Sequence, residues 1–381
     1  MRRKDFLRMG SLLAATVPSL GSRAGKNPVF NGTINKQIDF LHDGLQISPS
    51  EYAALLMKLA DEGKIKPDYY SNGGVVEELE HTFAKLLGKE SAVFLPTGTL
   101  ANHMAVRRLA GNSRRVIVQE QSHLYNDSGD CCQTLSGLTL IPLGEDAVGF
   151  KLEELEKNRL KAMKGRVPTP IGVIMVETPV RRQQDRMVTY EELKGISVYA
   201  KEHSIKMHLD GARIFVQAVH TNRDPAAYGE LADTAYTSIW KCFNAASGAV
   251  LAGSAAFTKD LFNERRMLGG SLPAAWAFAA VALSFADGFT AEYKAAWQKA
   301  EKLFVALEKD ERFKVVKLEN GSHIVKLTIQ GANLARFREV LGKNNIEIPA
   351  PVENTFYLKV NPSLNRDTPE NVAGAFMAAL K

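Results

Sequence analysis

Short apolar stretches recur between residues 90 and 254, and several are separated by segments with a helical pattern. The stretches are rich in β-branched residues and apolar throughout, which is typical of strands buried on both faces. They are residues 91–95, 115–119, 138–143, 172–177, 206–210, 234–239 and 249–254. The helical segments are residues 101–109, 151–163 and 190–203. This alternation predicts an α/β large domain, with a seven-stranded mostly parallel sheet flanked by helices.

The rest of the chain predicts a second, smaller unit. Residues 272–309 are rich in alanine and predict one or two linking helices. In the tail, the predicted strands are 313–318, 322–329 and 355–360, and the predicted helices are 333–343 and 369–380. We therefore expect a large domain over residues 27–270, linking helices over 271–309 and a small C-terminal α/β domain over 310–381.

Composition and charge exclude several classes of protein. Of 381 residues, 45% are hydrophobic and 24% are charged, as in soluble globular proteins. The sequence has no apolar run of the roughly 18 residues that a membrane span requires. The net charge is +6, but residues 1–26 alone hold six basic side chains and one acidic one. The remaining chain is nearly neutral, which argues against a nucleic-acid partner.

The basic N-terminus resembles a bacterial twin-arginine export leader. Arg2-Arg3-Lys4 precede Phe6-Leu7-Arg8, and an apolar stretch follows over residues 11–20. We expect residues 1–26 to form an export leader and the mature protein to be periplasmic. The alternative is a basic tail on a cytoplasmic protein.

Two polar side chains stand at the ends of predicted strands. Asp210 ends one apolar strand and Lys241 follows the next, 31 positions later. Adjacent parallel strands would place both groups in one cleft. A strand-end carboxylate could bind a metal, hold a ribose or pair with a ring nitrogen. A lysine at the rim of an apolar strand is a candidate Schiff-base amine, because desolvation and nearby cations favour its neutral form.

Two further segments carry chemistry. Thr97-Gly98-Thr99 lie between a strand and a helix, a geometry that presents backbone N–H groups to an anion such as phosphate. His123 follows the second strand and could stack on a planar ring or relay a proton. The three cysteines have neither the spacing of a metal site nor that of a disulfide framework.

Taken together, these groups indicate one ligand, pyridoxal phosphate, which is a phosphorylated, basic, aromatic aldehyde. The loop at residues 97–99 would hold its phosphate and His123 would cover its ring. Asp210 would keep the ring nitrogen protonated, and Lys241 would bind the aldehyde carbon. Ser238, three residues before the lysine, belongs to the same predicted site.

The chain resembles the threonine aldolase / aromatic amino acid β-eliminating lyase family, which has the aspartate-aminotransferase fold type and depends on pyridoxal phosphate. The resemblance is strong over about residues 35–310. The motifs that carry it are residues 79–80, 88–92, 97–102, 177–179, 208–215, 238–241 and 265–270. It implies an amino acid substrate and a homodimer or homotetramer, with Arg265 and Arg266 as candidates to reach a neighbouring subunit's phosphate.

The departures from the family pattern concern the substrate carboxylate. The family grips it with two arginines, one of which matches Arg213 and is also assigned here to the cofactor site. The second arginine has no match, and Lys359 is the nearest substitute on the corresponding strand. Arg181 and Arg182 are additional basic groups near the expected cleft. We expect substrate binding mainly by Arg213, with Lys359 as a weaker partner.

The resemblance implies aldol cleavage of a β-hydroxy amino acid to glycine and an aldehyde. Two alternatives stay open at this point. One is a β-eliminating amino acid lyase, which shares the same site residues. The other is a catalytically reduced protein that binds pyridoxal phosphate or an amino acid, because the second arginine is lost.

Overall fold

The computed structural model describes residues 36–380, and the export leader predicted over residues 1–26 lies outside them. The strands of the described residues, in chain order, are β1 (Ile38–Asp39), β2 (Ser91–Leu95), β3 (Arg115–Gln119), β4 (Thr139–Leu143), β5 (Ile171–Glu177), β6 (Lys206–Asp210), β7 (Thr234–Ser238), β8 (Ala249–Gly253), β9 (Phe313–Lys317), β10 (Ile324–Ile329), β11 (Ile346–Glu347) and β12 (Thr355–Lys359).

The α-helices of the same residues are α1 (Pro49–Asp61), α2 (Gly74–Leu86), α3 (Gly98–Ala110), α4 (His123–Asn126), α5 (Cys131–Ser136), α6 (Leu152–Met163), α7 (Tyr190–Glu202), α8 (Ile214–Thr221), α9 (Pro225–Gly229), α10 (Ala255–Thr258), α11 (Leu261–Met267), α12 (Trp276–Ala286), α13 (Phe289–Leu307), α14 (Leu334–Lys343) and α15 (Pro369–Ala379). Short 3₁₀ helices lie at Arg181–Gln183 and Pro362–Arg366.

The large sheet confirms the predicted fold class. Within the described residues it has seven strands in the order β2-β8-β7-β6-β5-β3-β4. Strands β7, β6, β5, β3 and β4 run parallel, whereas β8 pairs antiparallel with β7 and β2. Apart from the edge strand β4, these strands are buried almost throughout on both faces, which explains why most of their sequences do not alternate between apolar and polar residues.

Helices cover both faces of this sheet. Along β2, Phe94 faces one hydrophobic core, whereas Val93 and Leu95 face another on the opposite side. This follows from the two-residue period of a strand. Helix α3 packs across the centre of the second face, against β5 to β8. Its N-terminus therefore lies beside the strands that carry the candidate site residues.

A separate core lies in the C-terminal part of the chain. Strands β12, β10 and β9 form an antiparallel sheet, and α13, α14 and α15 pack with it. The short strand β1 joins this part by pairing with β11. The described residues nevertheless fall within one compact unit, so the division at residues 270 and 309 stays a prediction. None of the described helices combines the length and apolar character of a membrane span.

Candidate active site

Two neighbouring strands, β5 and β6, end side by side, and β7 runs beside them and ends two residues further on. The pairing register places Glu177 of β5 next to Asp210 of β6, and Asp210 next to Tyr236 of β7. All three side chains are buried. Strand β7 continues to Ser238, and Lys241 follows it at the same edge of the sheet. The expectation that Asp210 and Lys241 share one cleft stays a prediction.

A chain of hydrogen bonds orients Asp210. Asn102 of α3 donates from Nδ2 to Asp210 Oδ2 at 2.6 Å, and the backbone N–H of Ala212 donates to Oδ1 at 3.1 Å. A carboxylate only accepts, so Asn102 must present its oxygen to His208, whose Nε2 lies 2.9 Å away. That contact makes Nε2 the protonated nitrogen, and Nδ1 accepts from the Thr234 hydroxyl at 2.8 Å.

His208, which belongs to this series of hydrogen bonds, is neutral. Burial lowers the pKa of His208 to about 4, although the nearby Asp210 charge acts in the opposite direction. A neutral imidazole with fixed hydrogen-bond roles holds Asn102, and through it Asp210, in one orientation. The arrangement leaves the negative charge on Asp210, where it can stabilise a cationic partner.

Lys241 lines a cavity of about 460 Å³. His123, Arg213, Trp240 and Lys359 line the same cavity. Burial, and then the charge of Arg213, lower the pKa of Lys241 to about 8. The cavity therefore holds a lysine that is partly neutral near neutral pH, which is the form that reacts with an aldehyde.

His123 is fixed from two directions. Its Nε2 lies 3.3 Å from the Thr99 hydroxyl, and its backbone N–H donates to Glu177 Oε2 at 2.5 Å. Burial lowers the pKa of His123. Burial, and then the Asp210 charge, raise the pKa of Glu177 to about 7. Glu177 also accepts from the backbone N–H of Arg181 at 3.0 Å, so one carboxyl group positions the loops after β3 and β5.

The loop before α3 has the geometry of an anion site. Thr97 caps the helix by accepting from the backbone N–H of Leu100 at 3.2 Å, which leaves its hydroxyl proton available to an acceptor. The first N–H groups of a helix have no partner inside the helix. A β-carbon at Gly98 would overlap the Tyr236 hydroxyl, so only glycine allows this approach to β7. Ser238 lies two residues beyond Tyr236 on the same strand face.

Arg213 is buried and paired with carboxylates of its own chain. Its Nε and Nη2 donate to the two oxygens of Asp43 at 3.0 and 2.9 Å. Its Nη1 lies 3.4 Å from Asp185 Oδ1. Lys359 donates to Asp43 Oδ1 at 2.9 Å. The structure thus places Arg213 and Lys359 in the cavity that Lys241 lines, with the Asp43 carboxylate between them.

The remaining arginines differ in position. Arg181 lines the cavity, and both Arg181 and Arg182 form ion pairs with Asp127. The expectation for Arg265 is wrong, because this side chain is fully buried and donates to backbone oxygens of its own chain, including Phe94 O at 2.7 Å. Arg266 is exposed, and its guanidinium lies over the Tyr70 ring.

Sequence reasoning missed several residues that shape this site. Asn102 and His208 lie inside motifs that the sequence singles out, and His208 shares a strand face with Asp210 because they are two residues apart. Asp43, Asp185 and His323 gave no such signal, because they come from distant segments without a motif. The roles of the predicted site residues themselves stay predictions.

The beta-eliminating lyase family model matches residues 61–330. The low-specificity L-threonine aldolase of Saccharomyces cerevisiae is 27% identical over 232 residues, which is 60% of this chain and 59% of that protein. The alignment therefore spans less than two thirds of that relative.

Solved structures share the fold. A protein from Exiguobacterium sp. 255-15, provisionally described as an aromatic amino acid beta-eliminating lyase/threonine aldolase, superposes with a TM-score of 0.73 at 24% identity. That match covers 91% of this chain and 97% of the other. A Listeria monocytogenes EGD-E protein, provisionally described as an L-allo-threonine aldolase, gives 0.72 at 23% identity, over 91% and 96% of the two chains.

Proposed function

Because this chain belongs to the beta-eliminating lyase family, we propose that it is a pyridoxal-phosphate-dependent lyase that cleaves a β-hydroxy amino acid to glycine and an aldehyde. The observation that carries the proposal is the placement of Asp210, His123 and Lys241 at one edge of the sheet, with the lysine and the histidine lining one cavity. The threonine aldolases among its relatives support aldol cleavage as the reaction.

The residues present fit the cofactor. Because Gly98 has no β-carbon, its turn can lie directly against the Tyr236 hydroxyl, next to helical N–H groups suited to a phosphate. Thr97, Thr99 and Ser238 offer hydroxyl donors around that turn, and Asp210 offers a carboxylate to the ring nitrogen. When bound, pyridoxal phosphate supplies an electron-accepting ring that stabilises negative charge at the substrate Cα.

The side chains then have separate tasks. Lys241 would bind the cofactor through its neutral amine and would afterwards hold or release a proton at Nζ. Asp210, oriented by Asn102, would keep the ring nitrogen protonated. His123, whose pKa is lowered by burial, would cover the ring and accept the proton of the substrate β-hydroxyl. Arg213 and Lys359 are assigned to the substrate carboxylate.

Product analysis tests the reaction. The purified protein, supplied with the cofactor, is incubated with L-threonine, L-allo-threonine and phenylserine. Glycine and the matching aldehyde should accumulate in equal amounts, and Lys241→Ala should abolish both. Lys89→Ala is the matched control, because burial also lowers the pKa of Lys89 but its amine donates to Ala232 O, away from the cavity. A 2-keto acid with ammonia instead would establish β-elimination and reject aldol cleavage.

One observation favours the alternative of a catalytically reduced, amino-acid-binding protein. The guanidinium of Arg213 is paired with Asp43 and Asp185, which weakens its grip on a substrate carboxylate. Retention of Lys241, Asp210 and His123 supports catalysis. Binding of glycine without turnover of any β-hydroxy amino acid would favour the alternative.

We also propose a homodimer or homotetramer in the periplasm. The support for the oligomer is the family resemblance and the frequency of symmetric dimers among soluble proteins. The support for export is the arrangement of residues 1–26, in which basic residues precede a short apolar stretch. A leader of the twin-arginine type would let the protein acquire its cofactor before export.

A further inference from the structure

Five charged or titratable side chains form a buried cluster beside the candidate active site. They are Asp43, Asp185, Arg213, His323 and Lys359. Both aspartates and the arginine are at most 6% exposed, and the histidine is fully buried. The cluster joins the segment after β1, the loop after β5, the residue that follows β6 by three positions, the residue before β10 and the last residue of β12.

Asp43 receives hydrogen bonds from three basic side chains. Arg213 donates two, Lys359 donates one, and His323 Nε2 lies 3.0 Å from Oδ1. Burial alone would raise the pKa of Asp43, but Arg213, His323 and Lys359 together hold it well below its usual value. Asp43 is therefore an anion. It is bound by Arg213 and Lys359, the two cations that the proposed function assigns to the substrate carboxylate.

The position of Asp43 is that of a competing ligand. Among the described residues, Asp43 lines the cavity that holds Lys241, as do Arg213 and Lys359, whereas Asp185 does not. The two-pronged contact of its carboxylate with Arg213 is the geometry that an amino acid carboxylate would adopt. The fixed positive charges of Arg213 and Lys359 are already balanced by Asp43 and Asp185, so an incoming carboxylate finds no unpaired cation there.

A metal ion does not explain the cluster. Asp43, Asp185 and His323 lie close enough to share a cation, but Arg213 and Lys359 are in direct contact with the same carboxylate oxygens. Two fixed cations at these distances repel a third. The carboxylates are therefore balanced by protein groups.

Hydrogen bonds from several elements hold the segment that carries Asp43, and Asn361 also donates to the His42 carbonyl oxygen at 2.8 Å. Gly44 lies against the Lys241 carbonyl oxygen, where a β-carbon would overlap it. The backbone N–H of Leu45 donates to Asn244 Oδ1, and that of Leu41 donates to Asp39 Oδ1. Residues 41–46 all line the cavity, so a shift of this segment would both remove Asp43 from Arg213 and open the space beside Lys241.

We infer that Asp43 is a specificity-determining residue: an internal carboxylate that occupies Arg213 and Lys359, so that an amino acid binds through its carboxylate only by displacing it. The inference deepens the proposed function, on which it rests for the amino acid ligand. It predicts that the site discriminates only weakly between an amino acid and the amine that lacks its carboxylate, although Arg213 is retained.

The test compares glycine with methylamine on the protein loaded with pyridoxal phosphate. Spectral titration gives the dissociation constant of each ligand for wild type, Asp43→Asn and Asp185→Asn. One charge-assisted hydrogen bond contributes roughly 10- to 150-fold in binding. We expect Asp43→Asn to bind glycine at least about 10-fold more tightly, with methylamine changed less than about 2-fold.

Asp185→Asn is the matched control, because it removes the same charge from the cluster outside the cavity lining. We expect its effect on glycine to be less than about 3-fold, since the Asp43 carboxylate still occupies Arg213. Unchanged or weaker glycine binding in a folded Asp43→Asn protein would overturn the inference. Equal effects of the two substitutions would also overturn it, by showing a general charge effect.

A second measurement uses the wild-type chain and does not depend on the variant folding. Hydrogen exchange at residues 41–46 should become faster with acetate than with chloride at the same ionic strength, because the added carboxylate displaces Asp43. This experiment needs no cofactor, so it tests the displacement of Asp43 independently of the proposed function. If the protein formed no adduct with the cofactor, only the proposed function would be rejected. Identical exchange in acetate and chloride would count against displacement of Asp43.

Discussion

The reactivity of Lys241 should depend on pH in a way that follows from its burial. Burial and the Arg213 charge lower the pKa of this lysine from 10.5 to about 8. At pH 7 a lysine with that pKa is about 9% neutral, whereas an ordinary lysine is about 0.03% neutral, a difference of roughly 300-fold. Covalent attachment of pyridoxal phosphate, followed by stopped-flow absorbance, should therefore accelerate about tenfold per pH unit below 8 and level off above it.

The lowered pKa of Lys241 also determines how the free energy of unfolding changes with pH. The folded protein binds fewer protons at Lys241 than the unfolded chain between pH 8 and 10.5, so the free energy of unfolding should rise with pH across that window. Lys241→Met should remove this rise, and Lys89→Met should leave the attachment profile unchanged. An attachment midpoint near 10.5, or a Lys241→Met protein that still reacts at the wild-type rate, would refute the reasoning.

Further substitutions probe the other parts of the site. Asp210→Asn keeps the shape but loses the charge, and should lower turnover at least about 100-fold in a steady-state assay; near-normal turnover would reject its pairing with the ring nitrogen. Gly98→Ala should weaken cofactor affinity in a fluorescence titration because its β-carbon overlaps Tyr236, whereas Gly342→Ala, in an open helical position, should leave affinity unchanged and raise stability by up to about 1 kcal/mol. Analytical ultracentrifugation should show a dimer or tetramer, and an active monomer would contradict it. N-terminal sequencing from fractionated host cells should find residues 1–26 removed in the periplasm, whereas intact cytoplasmic protein alone would exclude export.

The seven strands of the large sheet were predictable because each one lies in a short apolar stretch of the sequence. Strands β2, β3 and β6 occupy the residues expected from the apolar stretches, and the other four differ by one residue at an end. By contrast, the pairing of β1 with β11 joins two-residue strands that are far apart in the chain. Such short elements carry no periodicity that a sequence pattern could reveal.

Helix α1 has a recognisable start in the sequence. Ser48 and Glu51 form a capping box around Pro49, which is a recognisable helix start. The start of helix α2 is harder to recognise in the sequence, because the helix begins at Gly73-Gly74 without a side-chain cap. Its predictable feature is the apolar face that packs against the sheet.

For the site, the end residues of strands were predictable, whereas their partners came from elsewhere. Asp210 and Lys241 each follow an apolar stretch, and the sheet order then brings them together. Asp43 reaches Arg213 from 170 positions away, and His323 reaches Asp43 from 280 positions away. Contacts between such distant segments depend on how the C-terminal part packs, which local patterns do not encode.

Trapping of the cofactor tests most directly whether Lys241 makes this chain a pyridoxal-phosphate enzyme. The purified protein is supplied with pyridoxal phosphate, reduced with borohydride, digested and analysed by mass spectrometry. The peptide containing Lys241 should carry the reduced cofactor, and Lys241→Ala should carry none, while Lys89→Ala should be labelled like wild type. Labelling at another lysine, or no labelled peptide in the wild-type protein, would contradict the proposed function.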